Sequence, residues 1–147
     1  MKSIKSVQNV LGRIPDINCG GCGISALAMY RWLKDNDKLV GDESFTYLYV
    51  SYDSSFTEND SILKEKKNHK LKSASHIMLF HNGRLIDSDG NAVQNRYINR
   101  HNKITEDSLL YSINFSCWND DFDRKEYVPF IEQKLGVELS DVKIKHN

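Results

Sequence analysis

An α+β fold, with a central N-terminal helix packed on an antiparallel β-sheet, is the architecture this sequence of 147 residues predicts. Three observations carry it. The run Cys22-Gly23-Ile24-Ser25-Ala26-Leu27-Ala28-Met29-Tyr30-Arg31-Trp32-Leu33 has the length and broad apolar surface of a buried helix. Asn82-Gly83 stands between two short strand-like runs, the strongest short-range signal for a two-residue hairpin turn. A helical pattern returns over Asp123 to Leu135 after the strands, so helices and antiparallel strands are grouped rather than alternating.

Met1 to Arg13 reads as a short helix or arm with Val7, Val10 and Leu11 as its apolar contacts. Ile14 to Asn18 is predicted to be an extended lead-in, because Pro15 biases Ile14 away from helix. Gly20-Gly21 gives a conformationally permissive approach to the helix predicted from Cys22 to Lys34, which Asp35 to Lys38 ends. Phe45 to Tyr52 is rich in aromatic and β-branched residues and reads as one strand. Asp53 to Ser75 is mostly polar and reads as a surface flap with one helical turn. His76 to Phe80 and Arg84 to Ser88 are the hairpin strands, and Leu109 to Phe115 is a further strand candidate. The last helix carries Tyr127, Phe130, Ile131 and Leu135 as apolar contacts, Pro129 in its first turns and Gly136 at its stop.

A single domain over residues 1–147 is expected at this length. Hydrophobic and charged fractions of 39% and 27% are those of a globular protein. Twenty basic and twenty acidic residues cancel to a net charge of +0, so neither nucleic acid nor an anionic membrane is an expected partner. No run of about 18 apolar residues occurs to span a membrane, and Met1 to Asn18 has no secretory apolar core. Three cysteines suggest reduced thiols. A cytoplasmic site of action is therefore expected, and a leaderless protein carried inside a virus particle would read the same way.

The chemistry-bearing residues are Cys22, at the predicted helix start, and His76 and Asp87, in the hairpin. A thiol at a helix N-terminus meets the positive end of the backbone dipoles, which favours thiolate. An imidazole on a strand can take that proton, and a carboxylate on the next strand can orient the ring. With a two-residue loop at Asn82-Gly83, side-chain alternation puts His76, Met78, Phe80, Leu85, Asp87 and Asp89 on one face. Asp89 then lies opposite His76 and Asp87 is its diagonal neighbour. Asp87 is preferred because Asp89 already belongs to the Asp89-Gly90 turn, and Asp89 is the alternate.

Asn18-Cys19-Gly20-Gly21-Cys22 before the helix, with His76 and Asp87 beyond it, resembles the papain-like cysteine peptidase superfamily in a compact form without a pro-segment. Cys19-Gly20-Gly21-Cys22 is similar to the Cys-Gly-Ser-Cys context of papain relatives, in which the second cysteine is the nucleophile. The resemblance covers roughly Asn18 to Gly90 and implies a papain-like fold with Cys22 as nucleophile, His76 as base and Asp87 as orienting residue. The family's oxyanion glutamine, six residues before the nucleophile, is replaced by Asp16, and its aromatic residue after the cysteine by Gly23. Asn18 is the candidate oxyanion donor beside the Cys22 backbone N–H. A peptide or protein substrate is implied, with no cofactor and no metal.

The same residues admit other readings. Cys19 is the alternate nucleophile, and Cys19-x-x-Cys22 also fits a redox pair, although no βαβ context surrounds it. A zinc site from Cys19, Cys22, His76 and His81, or Cys117, is disfavoured because His76 and His81 point to opposite faces of a regular strand. His69, His81 and His101 read as surface residues, Cys117 as core and the lysines from Lys64 to Lys72 as a solvated face. The two functional classes are a thiol hydrolase or acyltransferase acting on amide bonds, and an inactive papain-like fold serving as a binding or structural module, with a viral origin compatible with the latter.

Overall fold

The computed structural model describes residues 1–47, 50–52, 71–74, 76–91, 102–115 and 121–144, with 50–52 and 71–74 as backbone. Its organising element is the helix α2 (Cys22–Asp35), preceded by α1 (Ile4–Gly12). Ten of the fourteen residues of α2 are buried, from Cys22 through Met29 and again at Trp32 and Leu33, which makes it central rather than a surface helix. It is touched by α1, by α3 (Glu106–Phe115), by α4 (Arg124–Leu135) and by strands β4 (Ile77–His81) and β5 (Arg84–Asp87). Full burial of side chains such as Leu27 and Leu33 stabilises by about 1.5–3 kcal/mol each.

The sheet under α2 has five antiparallel strands in the order β6-β5-β4-β1-β7, where β1 is Ser44–Tyr47, β6 is Gly90–Asn91 and β7 is Asn102–Ile104. Phe45 faces Leu79 on one side and Ile104 on the other. Phe45, Tyr47, Ile77, Leu79, Ile86 and Ile104 join the core with α2, and the Tyr30 ring of α2 packs edge-on to Phe45 at 5.2 Å. Met78 and Leu85 are fully buried in a second, smaller cluster with Phe80. The β4–β5 hairpin has the predicted register, Leu79 opposite Ile86 and Phe80 opposite Leu85. Asn82 and Gly83 take φ values of 52° and 76°, the pair of positive angles that a type I′ turn requires.

Four expectations are corrected. The strand predicted over Phe45 to Tyr52 is divided: Ser44–Tyr47 enters the main sheet, while β2 (Val50–Tyr52) pairs with β3 (Leu71–Ala74) in a separate two-stranded sheet. Leu71–Ala74 is thus strand where a polar surface segment is expected; residues 53–70 and 75 of that segment lie outside the described residues. Leu109 to Phe115 is the body of helix α3, not a strand. Thr105 starts it by accepting the Ser108 N–H at 3.1 Å, Glu106 and Asp107 sit favourably in the first turn, and Leu109 and Ile113 share one buried stripe. Ile14 to Asn18 forms consecutive turns rather than an extended lead-in, tied by Ile14 N–H to the Leu11 carbonyl and Ile17 N–H to the Ile14 carbonyl, which bury Ile14 and Ile17.

The last helix agrees with its signals: the Asp123 carboxylate caps it through the Glu126 N–H, and Gly136 at φ 66° ends it. The C-terminal half of α2 is locked by Arg31, which bonds Glu106 at 2.9 Å, Asp141 at 2.7 Å and the Glu138 carbonyl at 2.8 Å. Hydrogen bonding to Asp141 raises the guanidinium pKa further, and the same contact holds the Asp141 carboxyl below its usual range. No helix among the described residues is long and apolar enough to cross a membrane.

Candidate active site

Glycines set the approach to Cys22. Gly20 takes a φ of 108°, and the Cys19 carbonyl accepts the N–H groups of Asp121 and Phe122, so the chain before α2 is strapped to the segment before α4. A Cβ on Gly21 would meet the Ile17 carbonyl oxygen at 2.6 Å and the Phe122 ring at 3.0 Å. Neither neighbour can retreat cheaply, because one is backbone and the other a buried ring. Gly21→Ala is therefore expected to destabilise by about 2 kcal/mol or more, read as a lower urea midpoint; an unchanged midpoint would show that this loop yields. As N-cap, Gly21 also brings no side-chain acceptor to the first N–H groups of α2.

Gly23 explains how Cys22 and His76 meet. Its missing Cβ would lie 3.3–3.4 Å from the side chains of Ile113, Leu109 and Ile77, so the first turn of α2 rests directly on α3 and on the start of β4. His76 immediately precedes Ile77, and Cys22 immediately precedes Gly23. A bulky aromatic after the cysteine would be forced into these three side chains. The contact of Gly23 with Ile77 therefore carries Cys22 to the imidazole, although 53 intervening positions separate the two in the chain.

The imidazole joins two partners. His76 Nε2 is 2.8 Å from Asp87 Oδ2, and the Cys22 thiol is the second ionisable group that acts on the same ring. Burial disfavours the imidazolium, but the hydrogen bond to Asp87 and the interaction with the Cys22 thiol outweigh it and hold the His76 pKa up at about 9. The Asp87 carboxylate is fixed at its other oxygen as well: Oδ1 accepts the Asp89 N–H at 2.8 Å. The side chains of His76 and Asp87 keep 17% and 13% exposure, and Cys22 is buried at 9%. Thiol, imidazole and carboxylate thus form one row, in which the imidazole is hydrogen-bonded to the carboxylate, and it is open to solvent at its edge. Such a row can hold a thiolate against an imidazolium and return a proton to a leaving group.

The other candidates sit around this row. Asp89 is exposed and accepts the Asn18 Nδ2 at 3.0 Å. The Asn18 Oδ1 accepts from Ser88 Oγ at 3.2 Å, so this carboxamide is engaged with the turn after β5. Cys19 is exposed and Cys22 buried. His69, His101, Cys117 and the Lys64 to Lys70 run lie outside the described residues.

His81, expected at the surface, is instead half-buried against Glu43 at the hairpin end of β4, while His76 lies just before the other end of that strand. Glu43, Asp42 and His81 bring ligating atoms within 4.8 Å of one another. Their carboxylates are occupied by backbone donors: Asp42 accepts the N–H groups of Asn82 and Gly83, and Glu43 those of Val40 and Gly41. Burial raises the Glu43 carboxyl, but these N–H bonds and His81 more than offset it and hold it below its usual range. The cluster is a clasp on the β4–β5 turn.

One residue near the site is not among those the sequence singled out. Gln8 of α1 is buried and donates through Nε2 to the carbonyls of Asp87 at 2.9 Å and Gly90 at 3.1 Å. Its signal in the sequence is a glutamine between Val7 and Leu11 on the apolar stripe, a position that demands a partner. Comparison with family models, curated proteins and solved structures finds no match to this chain.

Proposed function

We propose that the protein is a papain-like, cysteine-dependent hydrolase or acyltransferase acting on amide bonds of a peptide or protein. The row of Cys22 at the start of α2, the His76 imidazole beside it and the Asp87 carboxylate bonded to that ring carries this reading. Cys22 Sγ, as thiolate, attacks the amide carbonyl carbon, and the carbonyl π electrons move to oxygen. The oxyanion is stabilised by the backbone N–H of Cys22 at the positive end of α2. His76 gives its proton to the leaving nitrogen as the C–N bond breaks, leaving a thioester on Cys22. Water, or an acceptor amine, then attacks that thioester; His76 takes the incoming proton and returns it to sulfur. Asp87 holds the imidazole ring in place throughout.

Asn18 favours a second reading, a non-catalytic module of the same fold. Its carboxamide, the side-chain oxyanion donor expected from the sequence, is turned to Ser88 and Asp89. Alkylation by iodoacetamide separates the two. A thiol paired with the His76 imidazolium should alkylate rapidly down to about pH 6, at Cys22, and slow about tenfold or more in His76→Ala. A profile rising only above about pH 8 and indifferent to His76→Ala would overturn the hydrolase reading. Covalent capture of Cys22 by a peptidyl chloromethyl ketone tests the substrate class; capture no faster than by a simple alkyl halide would remove the peptide.

A further inference from the structure

Helix α1 lies against the turn that presents Asp87, and it does so at two points one helical turn apart. At the first, the Gln8 carboxamide spends both N–H groups on the carbonyls of Asp87 and Gly90. These two residues are the paired ends of the Ser88-Asp89 turn between β5 and β6, so one side chain clamps both sides of the turn. Both acceptors are carbonyl oxygens, so the amide nitrogen, and not its oxygen, must face them. At the second, a Cβ on Gly12 would stand 2.8 Å from the Ser88 carbonyl oxygen, so the end of α1 is pressed on the same turn.

Asp87 can orient His76 only if its own backbone is fixed. Its carboxylate is divided between the ring at 2.8 Å and the Asp89 N–H at 2.8 Å. A small rotation of the turn would trade one bond against the other. Gln8 is 8% exposed, far more buried than a solubilising glutamine, and a buried amide is retained where its bonds do work.

We propose that Gln8 is a positioning residue of the site: by bridging the Asp87 and Gly90 carbonyls it sets the carboxylate that orients His76, which makes α1 a working part of the centre. The inference deepens the thiol-enzyme reading and rests on it for its catalytic meaning.

Gln8→Met keeps the length, packing and helix propensity of the side chain and removes both donors. Gln8→Lys keeps a donor of similar reach. Among the described residues, the ionisable groups that face His76 are Cys22 of α2 and Asp87 of β5, so the His76 ring reports on the carboxylate directly. Titration of the His76 imidazole by NMR in the full chain should show the midpoint falling by about one unit in Gln8→Met, with Cys22 alkylation at pH 6 slowed about tenfold. Gln8→Lys should recover most of both. Should Gln8→Met fail to fold, Gln8→Leu, which is of similar size, uncharged and likewise without donors, is read in the same way.

A His76 midpoint unchanged in the donor-deleted variant, whatever the change in thermal midpoint, would overturn the proposal and leave Gln8 a packing residue. Equal midpoint losses in the Met and Lys variants would overturn it too. The two readouts keep the ideas apart. A wild-type Cys22 that alkylates like an ordinary thiol, in a protein whose His76 midpoint still follows Gln8, would sink the hydrolase reading while supporting the positioning of Asp87.

Discussion

Cys22→Ala is expected to abolish amide cleavage and covalent capture, a loss of about 10⁴-fold or more, while the protein stays folded. Only one atom is removed, at the edge of the core, and the fold loses about 1 kcal/mol. No other group described beside His76 could replace the sulfur, because Asp87 already occupies Nε2 and is held by its own turn. Cys19→Ala should change the rate by no more than about threefold. What the structure uses at Cys19 is the backbone carbonyl, which bonds Asp121 and Phe122 and survives the substitution. Circular dichroism and mass-resolved labelling of the two variants check both statements. If Cys19→Ala abolishes capture and Cys22→Ala does not, the nucleophile is Cys19.

Much of this arrangement was legible because local chemistry left little choice. Asn82-Gly83 can hold two consecutive positive φ angles where most pairs cannot, and that alone set the register of β4 on β5. Alternation from that register placed His76 and Asp87 on one face. It could not choose between Asp87 and Asp89, since a regular ladder would put Asp89 opposite His76. The chain decides by turning at Ser88-Asp89, so that Gly90 pairs back to Asp87 and Asp89 leaves the strand.

At α3 the structure departs from the strand expected over Leu109 to Phe115. Leu-Leu-Tyr-Ser-Ile-Asn-Phe suits a strand by composition, and short apolar runs do not settle their own period. Helix prevails because Thr105 caps it and because Leu109 and Ile113, four apart, both reach the space left by Gly23. The Gln8 clamp and the Glu43–His81 clasp are invisible to local reading for a plainer reason. Their partners are 79 and 38 positions away, and nothing in either segment names the other.

His76→Ala is expected to cost about 10³-fold in kcat/KM, and Asp87→Ala about tenfold less, since the first removes proton transfer and the second only its orientation. The pH dependence gives the sharper test. His76 keeps its proton up to about 9, and it is the imidazolium that protonates the leaving nitrogen, so kcat/KM should fall as pH rises through about 9. Asp87→Asn removes a charge that holds this proton and should move the alkaline limb to lower pH. Stability should follow the same group. An imidazole whose folded pKa of about 9 exceeds its ordinary 6.5 binds its proton more tightly in the folded chain. Its contribution is complete below about pH 6.5 and vanishes as pH rises through about 9, amounting to about 2 kcal/mol once its partial contact with solvent is allowed for. Urea unfolding at pH 6 and pH 9.5 should therefore show a loss in the wild type that His76→Ala does not share. Equal losses in the two proteins would mean that other groups carry the pH dependence and that the His76–Asp87 bond is no stronger folded than the solvent it replaces.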